Sequence, residues 1–143
     1  MKKIREGVFE TNSSSTHSIS IASGKCKMMD TIFPDENGDI VLDGGQFGWE
    51  IKEYNGAITK ANYCAIDQFD NLDRIKMLSE VILEQTGAKR LVLDFSTDYK
   101  DKNWSYIDHQ SEGTSNEAFV SKEKLRSFIF DPNSVLYTDN DNH

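Results

Sequence analysis

The sequence has few cysteines, no long apolar run and no excess of positive charge, and each of these shortages excludes a class of protein. Cys26 and Cys64 are its only cysteines and form no C-x-x-C pair, so we expect free thiols and no zinc site. No apolar segment approaches the roughly 18 residues of a membrane span, and the opening residues lack the apolar core of a signal peptide. We therefore expect a cytoplasmic protein that does not contact a membrane.

The chain carries 24 acidic side chains against 16 Lys and Arg side chains, which gives a formal net charge of -8. Such a protein repels a long phosphate backbone and would release few counterions on binding one. The charge therefore excludes sequence-independent binding to long DNA or RNA. It leaves two classes of partner, which are a basic protein surface and a small anion held in a locally positive pocket.

The length and composition indicate one folded domain. With 143 residues, 37% of them hydrophobic, the chain has the size and the apolar content of a single globular unit. It shows no internal repeat and no boundary for a second domain, so we predict one α+β domain over residues 1–143. We predict a mostly antiparallel sheet with two or three helices packed on one face. Residues 138–143 are predicted to form a mobile acidic tail, or alternatively a set of oxygen ligands for a hard cation.

Periodicity and turn residues place the elements along the chain. Asp70 or Asn71 at its start and Gly87 at its end bound the clearest helix, and the sequence P-D-E-N-G at 34–38 predicts a hairpin. The glycine-rich residues 44–48 match no phosphate-binding pattern and are predicted to form a loop. The other predictions are strands at 4–9, 17–21, 25–33, 39–43, 49–54, 89–95, 104–108 and 134–137, helices at 57–69 and 121–130, and a long irregular segment at 96–117.

Two histidines stand beside serines, in T-H-S-I-S around His17 and in D-H-Q-S around His109. Side chains two residues apart on a strand share a face, so a strand at such a stretch presents an imidazole together with a hydroxyl. Two of these strands facing each other place two imidazoles around one phosphate, one accepting and one donating a proton. His17, His109 and Ser111 are therefore the candidate catalytic residues. The alternative is structural: His17 caps a turn, and His109 orders the long irregular segment.

The run F-E-T-N-S-S-S-T-H-S at residues 9–18 is the most unusual stretch of the chain. Asx and Ser turns within it can aim successive N–H groups at one point and so form a nest for an anion. The alternative is a connection whose polar groups satisfy one another. Lys25, Lys27, Lys89 and Arg90 can also pair with a phosphate. The candidate ligand-binding residues are Arg5, Asn12, Ser13, Ser14, Ser15, Thr16, Ser18 and Ser20.

Several aromatic side chains can stack on a base or a sugar ring. The same residues fit equally well into a core or along its edges. They are Trp49, Tyr54, Tyr99, Trp104 and Tyr106.

Three stretches, R-E-G-V-F-E-T-N-S-S-S-T-H-S, Y-I-D-H-Q-S and F-I-F-D-P-N-S-V-L-Y-T-D-N-D-N, resemble a family of small proteins found in bacteriophages and in bacteria that carry mobile elements. The resemblance implies a phage accessory protein that acts in the bacterial cytoplasm and counters a host defence, many of which signal through cyclic or modified nucleotides. The two histidine stretches are also locally similar to the H-x-[ST]-x motif that two-histidine phosphoesterases use twice. This local similarity implies phosphodiester chemistry.

Three functions follow from these patterns. The first is metal-independent cleavage of a cyclic or modified nucleotide by His17 and His109, with no cofactor. The second is sequestration of such a nucleotide without cleavage. The third is inhibition of a host enzyme by an acidic protein that mimics nucleic acid. The expected partner is thus a small nucleotide, and a host defence protein and a second copy of the chain are further candidate partners.

Overall fold

The computed structural model describes residues 7–10, 32–49, 52–102 and 104–138, and for residues 7–10 it describes the backbone alone. Helices and strands are mixed along these ranges. The strands are β1 (Gly7–Glu10), β2 (Asp39–Leu42), β3 (Gln46–Phe47), β4 (Lys52–Tyr54), β5 (Arg90–Leu93), β6 (Tyr106–Ile107) and β7 (Leu136–Thr138). The helices are α1 (Ala57–Asp67), α2 (Leu72–Thr86) and α3 (Lys122–Phe130), with 3₁₀ helices at His109–Ser111 and Thr114–Val120.

The strands form three small sheets with both senses of pairing. The central sheet has the order β1-β5-β2, in which β5 is antiparallel to β1 and parallel to β2. The β3–β6 pair is parallel and the β4–β7 pair is antiparallel. Two of the four pairings in the described ranges are thus parallel, so the mostly antiparallel sheet is not confirmed. The reason lies in the connections, because β2 reaches β5 through α1 and α2, and a crossover of that kind returns the chain in a parallel sense.

The helices begin and end where local chemistry predicts. The Asn71 side chain accepts a hydrogen bond from the backbone N–H of Arg74 and so caps α2, whose other end is Gly87 with φ at +75°. The Ser121 hydroxyl accepts from the Lys124 N–H at the start of α3. These contacts satisfy N–H groups that a helix start leaves unpaired. The predicted bounds of both helices are therefore confirmed to within about a residue.

Helix α1 lies at the centre of the described part of the molecule. It contacts α2, α3, β2 and β6, and eight of its eleven residues are buried, including Lys60, Asn62 and Tyr63. A helix that is buried on most of its faces is an interior element rather than a surface one. The core around it is formed mainly by Ile40, Leu42, Leu78, Ile82, Leu91, Leu93, Phe95, Leu125, Ile129 and Leu136.

The predicted turn at 34–38 is present, but its strand has a different partner. The Asp35 carboxylate accepts from the N–H groups of Asn37 and Asp39 at 2.8 and 3.0 Å, and Gly38 has φ at +83°. The strand that follows, β2, pairs with β5. Most of the strand predicted at 25–33 lies outside the described residues, as does all of the strand predicted at 17–21.

Two stretches differ from their predicted form. The long segment at 96–117 contains the short strand β6, the first 3₁₀ helix and the start of the second, which continues to Val120, in place of a loop around a strand. The residue Thr138, placed at the start of the mobile tail, is instead the last residue of β7 and is fully buried. The remainder of that tail, residues 139–143, lies outside the described ranges.

Candidate functional site

A cleft of about 400 Å³ opens between the end of α1 and strand β6. One wall comes from the end of α1 and the turn that follows it, together with Glu112, Gly113 and Asn116 around the start of the second 3₁₀ helix, and the other wall comes from Thr97 and residues 104–107 around β6. This volume falls within the range of roughly 300–1,000 Å³ that is usual for small-molecule sites. The cleft is therefore the candidate site in the part of the chain that the structure describes.

Aromatic rings form one wall of the cleft. Trp104 and Tyr106 both line it, as expected for side chains two residues apart on an extended chain. Their ring centroids are 5.5 Å apart, and the Tyr106 ring also stacks on Trp49 with centroids 4.8 Å apart. The Trp49 indole N–H donates to Gln46 Oε1 at 2.9 Å, which fixes the outermost ring. The wall thus offers flat π surfaces to a planar ligand.

The opposite wall is tied down by the carboxylate of Asp67. This side chain accepts hydrogen bonds from the Gly113 N–H at 2.8 Å and from the Ser115 hydroxyl at 2.5 Å. Gly113 has φ at +81°, a conformation that favours glycine, and it begins the second 3₁₀ helix. Asp67 therefore fixes the position of this helix against the end of α1.

A second set of hydrogen bonds holds the same wall in place. Gln68 Nε2 donates to Ser115 Oγ and to Asn116 Oδ1, each at 2.9 Å. Arg74 Nη1 donates to Gln68 Oε1 at 3.0 Å and to Asn116 Oδ1 at 2.6 Å. Both ends of the Gln68 amide are thus engaged, and the Asn116 amide is held with its oxygen toward two donors.

The back of the cleft rests on the glycine-rich segment after β2. The Gly45 N–H donates to the hydroxyl of the lining residue Ser105 at 3.0 Å, and the Gly44 N–H donates to Asn62 Oδ1 at 2.8 Å. Gly44 has φ at +89°, and a Cβ added there would lie 1.9 Å from Ser105 Oγ. Gly44 and Gly45 form a loop, as predicted, but Gln46–Phe47, also predicted as part of that loop, form strand β3, because they pair in parallel with the distant strand β6, which no local pattern encodes. The lack of side chains at Gly44 and Gly45 lets the loop pass close to Ser105.

The charge of the cleft is negative. Asp67, Asp70 and Glu112 contribute carboxylates, while no Lys or Arg is present among the described lining residues. Arg74 lies behind the Gln68 and Asn116 side chains that it contacts. A phosphate inside the cleft would meet repulsion from the carboxylates, so the cleft suits the uncharged or proton-donating part of a ligand.

The structure separates His109 from Ser111, which were predicted to share one face of a strand. The two residues belong to a 3₁₀ helix that begins at Asp108, whose side chain accepts from the Gln110 N–H. His109 is exposed, whereas Ser111 is buried and its carbonyl accepts from the Tyr63 hydroxyl and, at 3.0 Å, from the Thr114 hydroxyl. The predicted strand, on which an imidazole and a hydroxyl two residues apart would share a face, is therefore wrong at this motif, because the chain coils there rather than extending.

The first histidine stretch departs from the phosphoesterase motif in its own sequence. Ile19, and not a Ser or Thr, stands two residues after His17, so the spacing H-x-[ST] occurs only at His109. His17 and the run beside it lie outside the described residues, as does every one of the candidate ligand-binding residues. These are Arg5, Asn12, Ser13, Ser14, Ser15, Thr16, Ser18 and Ser20.

Arg90, considered as a phosphate partner, pairs with a carboxylate instead. Its Nε and Nη2 donate to the two carboxylate oxygens of Asp39 at 2.8 and 2.5 Å. The hydrogen bond from Arg90 holds the pKa of Asp39 below its usual value, against the opposing effect of burial. Arg90 thus joins β2 to β5, whose register places it directly opposite Asp39.

Two titratable side chains of α1 lie close to the cleft, but burial keeps them protonated and therefore unreactive. Burial raises the pKa of the Tyr63 phenol and that of the Cys64 thiol, and neighbouring Asp67 adds to both shifts. Both side chains have no exposed surface. They therefore remain protonated near neutral pH and act as parts of the core.

The sequence indicated the aromatic wall but not the polar one. Trp104 and Tyr106 were singled out for stacking, and their alternation is a local pattern. Asp67 meets Gly113 and Ser115 across 46 and 48 positions of chain, and Gln68 meets Asn116 across 48. Polar residues at the end of a helix carry no pattern that indicates such contacts.

Comparison of the chain with protein-family models, with curated proteins and with solved structures finds no match. Within the described ranges, no helix combines the length and the apolar composition needed to cross a membrane. No group of three or more His, Cys, Asp or Glu side chains in those ranges is placed to hold a metal ion.

Proposed function

We propose that the protein binds a nucleotide-like small molecule, with the base in the cleft, and sequesters it. The observation that carries this proposal is the cleft itself, in which Trp104 and Tyr106 face a polar wall over a volume of about 400 Å³. Base-to-aromatic stacking stabilises binding by roughly 1–3 kcal/mol per base. Because the rings are already packed against each other and against Trp49, little side-chain freedom is lost when a ligand binds.

The phosphate of such a ligand belongs outside the cleft, since the carboxylates of Asp67, Asp70 and Glu112 oppose it there. We propose that donors outside the described residues meet it, for which the sequence offers the N–H, O–H and guanidinium groups of the hydroxyl run at 12–16 and of Arg5. The resemblance to phage proteins gives this binding a role, which is removal of a host nucleotide signal in the bacterial cytoplasm. One of the three stretches that carry this resemblance, Y-I-D-H-Q-S, supports the proposed role, because the lining residues Glu112 and Gly113 follow directly after it.

Cleavage of the ligand is the second candidate function, and one observation favours it. His109 is exposed and stands three residues before the lining residue Glu112 in the chain. An imidazole there can exchange a proton with a bound phosphodiester if His17 supplies the second proton transfer. His109 is not itself among the described residues that line the cleft, and this favours sequestration over cleavage.

A single experiment separates the two functions. The protein is incubated with cyclic dinucleotides in EDTA, the complex is isolated by gel filtration, and the ligand is released by heat and identified by mass spectrometry. Sequestration predicts intact ligand, in equal amounts from the wild-type protein and from His109→Ala. Cleaved ligand from the wild type and intact ligand from His109→Ala would establish cleavage, while no bound or altered ligand would contradict both functions.

A further inference from the structure

The polar groups of the cleft fall into those already used and those left for a ligand. Asp67 accepts from Gly113 and Ser115, and Gln68 is engaged at both ends of its amide. These two side chains hold the wall together, so they determine the shape of the cleft and do not recognise the ligand. The charged and amide side chains that remain among the lining residues are those of Asp70, Glu112 and Asn116, of which Glu112 and Asn116 flank Gly113 on one segment of chain.

Glu112 and Asn116 offer complementary hydrogen-bonding groups. Glu112 is exposed, and an ionised carboxylate can only accept hydrogen bonds. Asn116 Oδ1 already accepts from Gln68 and Arg74, so its NH₂ group is the end that points away from those donors. The pair therefore offers one carboxylate acceptor and one amide donor on the two sides of Gly113, next to the aromatic wall.

We propose that the cleft selects a guanine-type base, the edge of which carries two adjacent N–H donors beside a carbonyl. The N1–H and the exocyclic NH₂ of guanine donate to Glu112, the O6 atom accepts from the Asn116 NH₂, and the ring stacks on Trp104 or Tyr106. Adenine turns the lone pair of its N1 atom toward the same carboxylate, which is repulsive. The inference rests on the proposed function and adds to it the identity of the base.

The selectivity is measurable with mononucleotides. Calorimetric titration with GMP, IMP and AMP should give the tightest binding for GMP and the weakest for AMP, with IMP between them because it keeps N1–H and O6 but lacks the exocyclic NH₂. A bidentate pair discriminates between bases by about tenfold or more in Kd. Glu112→Gln should bring the Kd values for GMP and AMP to within about threefold of each other, since the acceptor loses its charge and one oxygen.

Glu117→Gln is the matched control. Glu117 is also exposed and belongs to the second 3₁₀ helix, but it is not among the residues that line the cleft, so this variant should keep the full preference for GMP. Equal binding of GMP and AMP, or a preference that Glu112→Gln leaves unchanged, would overturn the inference while leaving the proposed function intact. Failure of all three nucleotides to bind would overturn the proposed function as well.

Discussion

At the scale of single residues, the most unusual side chain of the described core is Lys60. It has no exposed surface, and its amine donates to the carbonyls of Asp131 at 3.0 Å and Ser134 at 2.7 Å, with the Phe128 ring centroid 5.6 Å away. A buried amine is costly unless it is hydrogen-bonded. Lys60 therefore fixes the turn between α3 and β7 to α1, and this role is structural.

Lys60→Met keeps the length of the side chain and removes its donor. We expect the free energy of unfolding to fall by about 1–3 kcal/mol, because the Ser134 carbonyl loses its hydrogen bond to the amine. Lys76→Met, at an exposed position of α2, should change it by less than about 0.5 kcal/mol. Urea unfolding measures both variants. An unchanged or raised stability for Lys60→Met would show that the cost of burying the amine exceeds the gain from its hydrogen bonds.

The ion pair between Asp39 and Arg90 gives a second prediction for single residues. Its hydrogen bond lowers the pKa of Asp39 in the folded state, so at low pH the unfolded chain binds the proton more readily than the folded one. The stabilisation is therefore complete above the unfolded pKa of about 3.9 and is lost as the pH falls through the lower folded value. Arg90→Met removes the largest cause of the lowered pKa.

The measurement is the stability difference between the wild type and Asp39→Asn as a function of pH. We expect a constant difference from pH 7 down to about pH 5 and a shrinking one below about pH 4. In the Arg90→Met background the same substitution should give a much weaker pH dependence in that window. A pH dependence that is the same in both backgrounds would contradict the role of the ion pair.

At the scale of elements, the sequence predicts features that depend on neighbouring residues and misses features that depend on residues far apart along the chain. The bounds of α2 and α3 depend on Asn71, Gly87 and Ser121, which act on their immediate neighbours. The local sequence pattern is therefore sufficient to predict where these helices begin and end. The parallel pairing of β2 with β5 joins residues about 50 positions apart, and no local periodicity encodes it. The 3₁₀ helix at His109–Ser111 was missed because two apolar residues before it, at 106–107, continued the pattern of a strand.

The glycine-rich loop behind the cleft gives a prediction at this scale. Gly44 and Gly87 both have positive φ, but a Cβ at Gly44 meets Ser105 at 1.9 Å and Phe95 at 2.8 Å, while at Gly87 it meets nothing within 4 Å. Gly87→Ala should cost about 1–2 kcal/mol for the backbone conformation alone. Gly44→Ala should cost about 1–3 kcal/mol more, because Ser105 and Phe95 have to shift.

Urea unfolding of the two variants checks this difference. The control is built into the pair, since both substitutions add one methyl group at a positive φ. Equal losses of stability at Gly44 and Gly87 would show that the packing of Gly44 against Ser105 and Phe95 is looser than the structure indicates.

At the scale of the whole molecule, the net charge of -8 and the acidic cleft restrict how a phosphate-bearing ligand binds. The phosphate must be met by donors outside the cleft. The composition indicated this restriction, and the aromatic residues indicated the stacking surface. The polar wall and the burial of Ser111 could not be predicted from the sequence, because both depend on contacts between α1 and the chain after β6. The third function, an acidic mimic that inhibits a host enzyme, stays a prediction.

The central claim is that a nucleotide base stacks in the cleft, and titration of a Trp104→Ala variant tests it most directly. The titrants are GMP, AMP and cyclic dinucleotides, each in a separate experiment. Tyr99→Ala is the control, because Tyr99 is an exposed aromatic residue that does not line the cleft. We predict saturable binding of at least one nucleotide to the wild type and to Tyr99→Ala, weakened about tenfold or more by Trp104→Ala. No saturable binding of any of these nucleotides, or binding that Trp104→Ala leaves unchanged, would contradict the claim.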